Sequence, residues 1–330
     1  MDQQSRTLRF GAAVIAWAVL ARLGLGGAFR PLVEKFRQPE TQSFLIYLET
    51  GRYVRFSPSS EDISNPVGES PAPAVPAETQ ALPVFSRDAV GEMSYACSYR
   101  PDLESLIEQP LSWNLTGPEP RVLILHTHTT ESYTPTGAGY AETSAFRTLD
   151  ENHNMLAVGA RVAQLLEEAG IAVIHDRELH DYPSYNGSYN HARKAIQAIL
   201  AEHPEICLVL DLHRDASGDL NNQFRPAALV EGVSAARMML VMGTGAGGLE
   251  HPHWQENLAL GLKLQAQLEL LAPGITRPIN LRAQRFNQDL TTGSLLVEMG
   301  AAGNTLQEAL EAADLLAQAI IALARGANGE

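Results

Sequence analysis

The chain is poor in cysteine and short of positive charge, and it contains no internal repeat. Two cysteines in 330 residues, Cys97 and Cys207, cannot supply a disulfide framework or a Cys-based zinc site. One Cys97–Cys207 bridge is conceivable, but Cys207 sits in the apolar run ICLVLDL and reads as a buried strand thiol. Lys and Arg number 24 against 38 Asp and Glu, a formal charge of −14, and the basic residues form no cluster. Phosphate contacts need such clusters, so nucleic acid is excluded as a partner.

What is present begins with a long apolar stretch. After Arg6 and Arg9 comes FGAAVIAWAVLARLGLGGAF, residues 10–29, apolar except for Arg22. Twenty helical residues span about 30 Å, roughly a bilayer core. The basic flank predicts the N-terminus inside. A cleaved signal peptide competes with an uncleaved anchor, and the lack of a small-x-small site before a polar start favours the anchor. The expectation is a membrane anchor over 1–30 with the rest of the chain outside the cytoplasmic membrane. Residues 57–84 carry six prolines among Ser, Glu and Ala. With so few large apolar residues this segment cannot offset its ordering entropy and reads as an extended linker. The region 31–118 is therefore expected to be juxtamembrane segment and linker, with 85–118 leading into the folded domain or docking on it.

From Pro120 short apolar runs alternate with helical stretches: RVLILHT, NHNMLAVGARVAQLLEEAG, IAVIHD, SYNHARKAIQAILAEH, ICLVLDLH, and so on to the C-terminal helix. This pattern predicts an α/β domain over 119–326, a mostly parallel twisted sheet flanked by helices. Gly170 is placed to end the first of these helices. Asn304 with Gln307 resembles a capping box at the last one.

In such sheets functional groups gather at the carboxyl ends of strands. HTHTTE follows strand 121–125, LHRDA follows strand 206–211, and Glu298 closes SLLVEMG. His128-x-x-Glu131 offers nitrogen and oxygen ligands from one loop, and His213 can supply the third ligand of an open zinc site. Glu298 is the candidate proton acceptor for a metal-activated water. His126 alternates with His128, so only one of the two should face the site; His126 could orient a ligand instead. Arg214, following His213, could bind a peptide carboxylate or stabilise an oxyanion, or it could pair with Asp215. The loop 181–190 holds Tyr182, Tyr185 and Asn186, a candidate lip for sugar faces. Asn287 and Asp289 are candidates for the cleft wall. His251 and His253 read as loop residues, and His175 and His180 as parts of a surface loop.

HTHTTESY, HDYPSYNGSYNHA (180–192), LDLHRDA (210–216), RFNQDL (285–290) and LLVEMGAAGNTLQEA (295–309) together resemble the stage II sporulation protein P family, from about residue 120 to the C-terminus. The resemblance implies a fold like that of the zinc-dependent N-acetylmuramoyl-L-alanine amidases, of phosphorylase/hydrolase-like type. It implies a peptidoglycan hydrolase cutting the sugar–peptide amide and peptide cross-links during forespore engulfment. It also implies Zn2+ as cofactor and stage II sporulation proteins D and M as partners. Carried onto this chain, the first and last ligands fall on His128 and His213 and the final glutamate on Glu298. The middle ligand falls on Glu131, within the HTHTTES block, or on Glu142, nearer the amidase spacing. A zinc carboxypeptidase-like amide hydrolase is the alternative enzyme, and a scaffold recruiting other wall hydrolases is the alternative outside catalysis.

Overall fold

In a computed structural model of the chain, residues 85–326 are described apart from 110–111, 116, 137–141, 145, 217 and 220–221, together with the short strand Gln80–Ala81. The expected anchor and nearly all of the Pro-rich segment lie outside the described residues. Among the described helices none is long and apolar enough to cross a membrane. Every element below belongs to the unit Ala72–Glu330.

Seven strands form the central sheet: β1 (Met93–Ala96), β2 (Val122–Leu125), β3 (Val173–His175), β4 (Leu208–Asp215), β5 (Met239–Gly243), β6 (Ile279–Arg282) and β7 (Ser294–Ala301). Their order is β1-β6-β5-β7-β4-β2-β3. Every neighbouring pair is parallel except β5 with β7, so the mostly parallel α/β sheet expected from the sequence is what forms. The reversal at β5 brings the starts of β5 and β6 to the sheet end where β2, β4 and β7 finish.

Six helices pack around it: α1 (Arg87–Val90), α2 (Leu103–Glu108), α3 (Met155–Glu168), α4 (Ser188–Glu202), α5 (Trp254–Leu271) and α6 (Leu306–Ala324). Side chains alternate across the strands. Val122, Ile124, Leu208, Leu210, Leu212, Leu295, Val297 and Met299 join the main core with α3, α5 and α6. The intervening residues Leu123, Leu125 and Val209 face the other way, onto Ala192 and Ile196 of α4. Met239, Val241 and Leu296 share that second face and are met there by Phe286. One face thus carries three long helices, the other α4 and the segment around Phe286.

Segment 85–118 is part of this domain rather than an approach to it. β1 extends the sheet by pairing with β6. Leu103, Leu106 and Ile107 are buried in the main core. Lys263 Nζ donates to the Ile107 carbonyl at 2.7 Å and Gln265 Nε2 to the Val90 carbonyl at 2.5 Å, tying both short helices to α5. The domain therefore starts before residue 119, because the apolar side chains of this stretch are spaced too irregularly to announce a strand or helix.

Two local expectations shift. Gly170 does end α3, in a left-handed conformation (φ 84°). The capping box of α6, however, is Thr305 with Glu308, one residue beyond the Asn304–Gln307 pair. Asn304 instead donates from Nδ2 to the Pro226 carbonyl and accepts at Oδ1 from Ala301 N. Both cysteines are free; the Cys207 thiol donates to the Asn114 carbonyl at 3.3 Å.

Candidate metal centre

The site is built where β2, β4 and β7 end. In the β4–β7 register Glu298 stands beside His213, and both project to the face that carries α4. A bulge follows Glu298 before Ala301. Gly300 makes it possible: its φ is 81°, and a Cβ there would lie 2.6 Å from Asn304 Oδ1 and 2.7 Å from Ala236 Cβ.

His128, Glu131 and His213 each present a ligand atom within 4.8 Å of the others. His128 Nδ1 is 3.4 Å from Glu131 Oε1, and His213 Nδ1 is 3.6 Å from Glu131 Oε2. On its far side His213 places Nε2 2.8 Å from Asp211 Oδ1. Asp211 is fixed in turn by Thr127, whose backbone N–H and hydroxyl donate to it at 2.8 and 2.7 Å. That carboxylate–histidine arrangement is the usual support behind a metal-binding imidazole.

Electrostatics follow from burial and neighbours. Burial alone would raise the pKa of Glu131, but the Arg214 guanidinium and the two imidazoles outweigh it and hold the carboxyl well below its ordinary range. Burial opposes a charged His213, yet Asp211 and Glu131 outweigh it and push its pKa well above the ordinary value. Glu298 is different: burial, with Glu131 and Asp215 adding to it against His213 and Arg214, lifts its pKa to about 8. Its Oε2 is buried and has no hydrogen-bond partner among the described residues.

The sequence-derived candidates separate clearly. Glu142 lies in a short strand whose side chains are outside the described residues; the glutamate gathered with the histidines is Glu131. His126 turns to the opposite face, where its Nδ1 meets the Leu212 carbonyl at 3.0 Å and its Nε2 meets His175 Nε2 at 2.9 Å. Arg214 is buried and does not open to a mouth. Its Nε donates to the Ser132 carbonyl, its Nη2 to the Phe146 carbonyl, and its backbone N–H to Glu131 Oε2. It braces the Glu131 loop, and Asp215 pairs instead with Arg277. Tyr185 is exposed and stacks on His128 with ring centroids 4.7 Å apart. Tyr182 and Asn186 are exposed on the same loop. Asn287 is buried, donating to the Tyr189 carbonyl at 2.8 Å, and Asp289 accepts two hydrogen bonds from Arg193. His175 closes β3 half-buried and His180 is buried against Asp176, so neither is a surface-loop residue. Asp176, Glu178 and His180 also bring potential ligand atoms together. There Asp176 accepts from Glu178 N within a turn and contacts His180, which accounts for the group.

Two residues at the centre, Asp211 and Arg147, escaped sequence reading, and they are joined there by Tyr189, the third tyrosine of the loop 181–190. Asp211 shares a strand face with His213, two positions away, and that period was a usable signal. Arg147 bridges Glu131 and Asp181 and lies over the Tyr185 ring, and nothing in its own neighbourhood announced it. Tyr189 lies parallel to His213 at 6.5 Å between centroids and edge-on to His128 at 5.5 Å.

The family model described as stage II sporulation protein P matches residues 61–321. The chain belongs to this family. The stage II sporulation protein P of Bacillus subtilis (strain 168) is 29% identical over 213 residues, covering 61% of this chain and 50% of that protein. The chain thus matches about half the length of that relative. Among solved structures, the N-acetylmuramyl-L-alanine amidase of Mycobacterium smegmatis aligns over 64% of this stage II sporulation protein P family member and 98% of its own chain, with 14% identity and a TM-score of 0.38. The CwlD amidase of Clostridioides difficile, solved in complex with the GerS lipoprotein, covers 62% of this chain and 95% of its own, with 13% identity and a TM-score of 0.36.

Proposed function

We propose that this family member is a membrane-anchored, zinc-dependent peptidoglycan hydrolase that cleaves the N-acetylmuramoyl-L-alanine amide and, at the same centre, peptide cross-links. The observation that carries this reading is the meeting of His128, Glu131 and His213 beside Glu298, whose buried Oε2 has no hydrogen-bond partner among the described residues. Two imidazoles and one ionised carboxylate, with an aspartate behind His213, suit Zn2+ and leave a coordination position open. When bound, zinc supplies a Lewis acid and brings the pKa of a coordinated water toward neutrality.

The chain's own groups then divide the work. Glu298 takes a proton from the attacking water and delivers it to the departing amine nitrogen, for which a pKa raised to about 8 is suited. Arg147 and Arg214 hold the Glu131 loop. Asp211 sets the orientation of His213. Tyr185, stacked on His128 and exposed, offers its ring edge and hydroxyl to the substrate at the rim. The apolar stretch 10–29, the basic flank at Arg6 and Arg9 and the Pro-rich segment support an anchored enzyme reaching from membrane to wall. Work beside stage II sporulation proteins D and M during forespore engulfment completes the reading, supported by the family resemblance.

The test uses the full chain purified in detergent with intact sacculi. Zinc is expected to co-purify at about one per chain, and chelation to stop release of stem peptides. Glu298→Gln is expected to keep the metal and lose about 10²- to 10⁴-fold in turnover. Mass spectrometry of the fragments separates amidase products, free stem peptides, from endopeptidase products, uncrosslinked muropeptides. Normal wall hydrolysis by Glu298→Gln would defeat the assignment.

A further inference from the structure

A cleft of about 390 Å³ shares Tyr189 with the surroundings of the metal centre and is lined by Tyr189, Arg193, Leu249, Arg285, Phe286 and Asn287 among others. Tyr189 is the shared wall: one ring-to-ring step of 6.5 Å leads to His213, another of 5.9 Å leads to Phe286. Together these steps are the reach of about three or four extended residues, at about 3.3–3.6 Å each.

The charges of the cleft are layered. Asp289 accepts from Arg193 Nη1 and Nη2 at 2.8 and 2.7 Å and lies 3.2 Å from Arg285 Nη1. Two guanidiniums share one carboxylate, so the trio carries a net positive charge. The anion is the hidden member: the Asp289 side chain is 7% exposed, against 23% for Arg193 and 27% for Arg285. What the trio shows to solvent is therefore guanidinium edge, a planar donor fork suited to a carboxylate. Phe286, and Leu249 at 58% exposed, supply apolar wall beside it.

We infer that this cleft is a subsite for a peptide carboxylate, binding the stem peptide three or four residues from the amide held at the metal centre. The inference rests on the hydrolase reading for the identity of the peptide. Arg285, whose Nη1 is engaged by Asp289 and by the Glu250 carbonyl at 3.4 Å, is the group that meets the ligand, and Arg193 is positioned beside it.

Calorimetry on the full chain in detergent, after chelation has removed any co-purified metal, tests it through binding alone. The probes are N-acetylmuramoyl-L-Ala–γ-D-Glu–L-Lys with both carboxylates free, the same peptide amidated at its C-terminus, and the same peptide amidated at the D-Glu α-carboxylate. Amidation of the C-terminus, the carboxylate of the third residue, is expected to weaken Kd about tenfold or more, while a loss on D-Glu amidation alone would overturn the spacing. Arg285→Gln is expected to erase that difference, while Arg285→Lys, keeping charge without the fork, retains part of it. Equal Kd for all three peptides, no binding of the free peptide, or an undiminished difference in Arg285→Gln would each overturn the subsite. Carboxylate-selective binding by a chain that leaves sacculi uncut would defeat the hydrolase reading and leave the subsite standing.

Discussion

His126 and His128 stand two residues apart and serve opposite faces of the sheet. His128 joins the candidate metal centre, while His126 reaches a neutral imidazole, His175, across 2.9 Å under α3. Two ring nitrogens can share a hydrogen bond only if one is unprotonated. Burial accordingly lowers the pKa of His126 to about 4 and that of His175 to about 3. The unfolded chain takes up these protons near the ordinary value of 6.5, the folded chain only near 4 and 3. Stability is therefore expected to fall as pH drops through that window and to level off below it. Urea midpoints measured from pH 7 to pH 3 check this, with His175→Gln flattening the dependence. Gly159 belongs to the same arrangement, since a Cβ there would sit 2.4 Å from His126 Nε2 and 2.6 Å from His175 Nε2. Gly159→Ala is expected to cost about 1–3 kcal/mol by overpacking, read as a shift of the urea midpoint. The alternation of the two histidines was legible in HTHTTE because strand geometry has a period of two. The partner His175 was not, for it arrives from a separate strand.

At the scale of elements, α6 shows how motif and cap can differ by a single residue. Thr305 Oγ1 accepts from Glu308 N, and the Glu308 carboxylate accepts from Thr305 N, Arg225, Ser234 and Asn304. Burial works against this carboxylate, but Arg225 and the other donors outweigh it and bring its pKa to about 2. A depressed carboxyl stabilises the fold above its unfolded pKa and loses that contribution as pH falls from about 4.5 toward 2. Glu308→Gln is thus expected to destabilise by about 1.5–3 kcal/mol at pH 7, with the gap to wild type closing at acid pH. Thr305→Ala should cost about 1 kcal/mol throughout that range. Thermal melts of both variants across pH separate the two. Sequence reading found the helix and its approximate start. It missed the register of the cap, because Asn304 is the stronger capping type of the two yet is engaged by Ala301 N and the Pro226 carbonyl, which leaves the cap to Thr305.

Over the whole molecule, the strand alternation from Pro120 onward was readable, as was the gathering of HTHTTE, LDLHRDA and Glu298 at one sheet end. The outer edge was not. β1 and α2 come from a stretch whose periodicity is weak, and their place is set by contacts with β6 and α5. Removing residues 1–84 is expected to leave a cooperatively folding domain, whereas removing 1–118 strips β1 and α2 and should lower Tm by several degrees or abolish the transition. Calorimetry of the two truncations decides it.

The support around Glu131 and His213 has a consequence for assembly. Arg147, Arg214 and Asp211 hold these side chains in place with protein partners alone. Under the proposed zinc reading, chelation is therefore expected to leave the urea midpoint of the domain largely in place, unlike small zinc domains whose order depends on the metal. Asp211 and Glu131 favour the charged form of His213 against its burial, so under the proposed zinc reading metal uptake is expected to release a proton and to strengthen as pH rises.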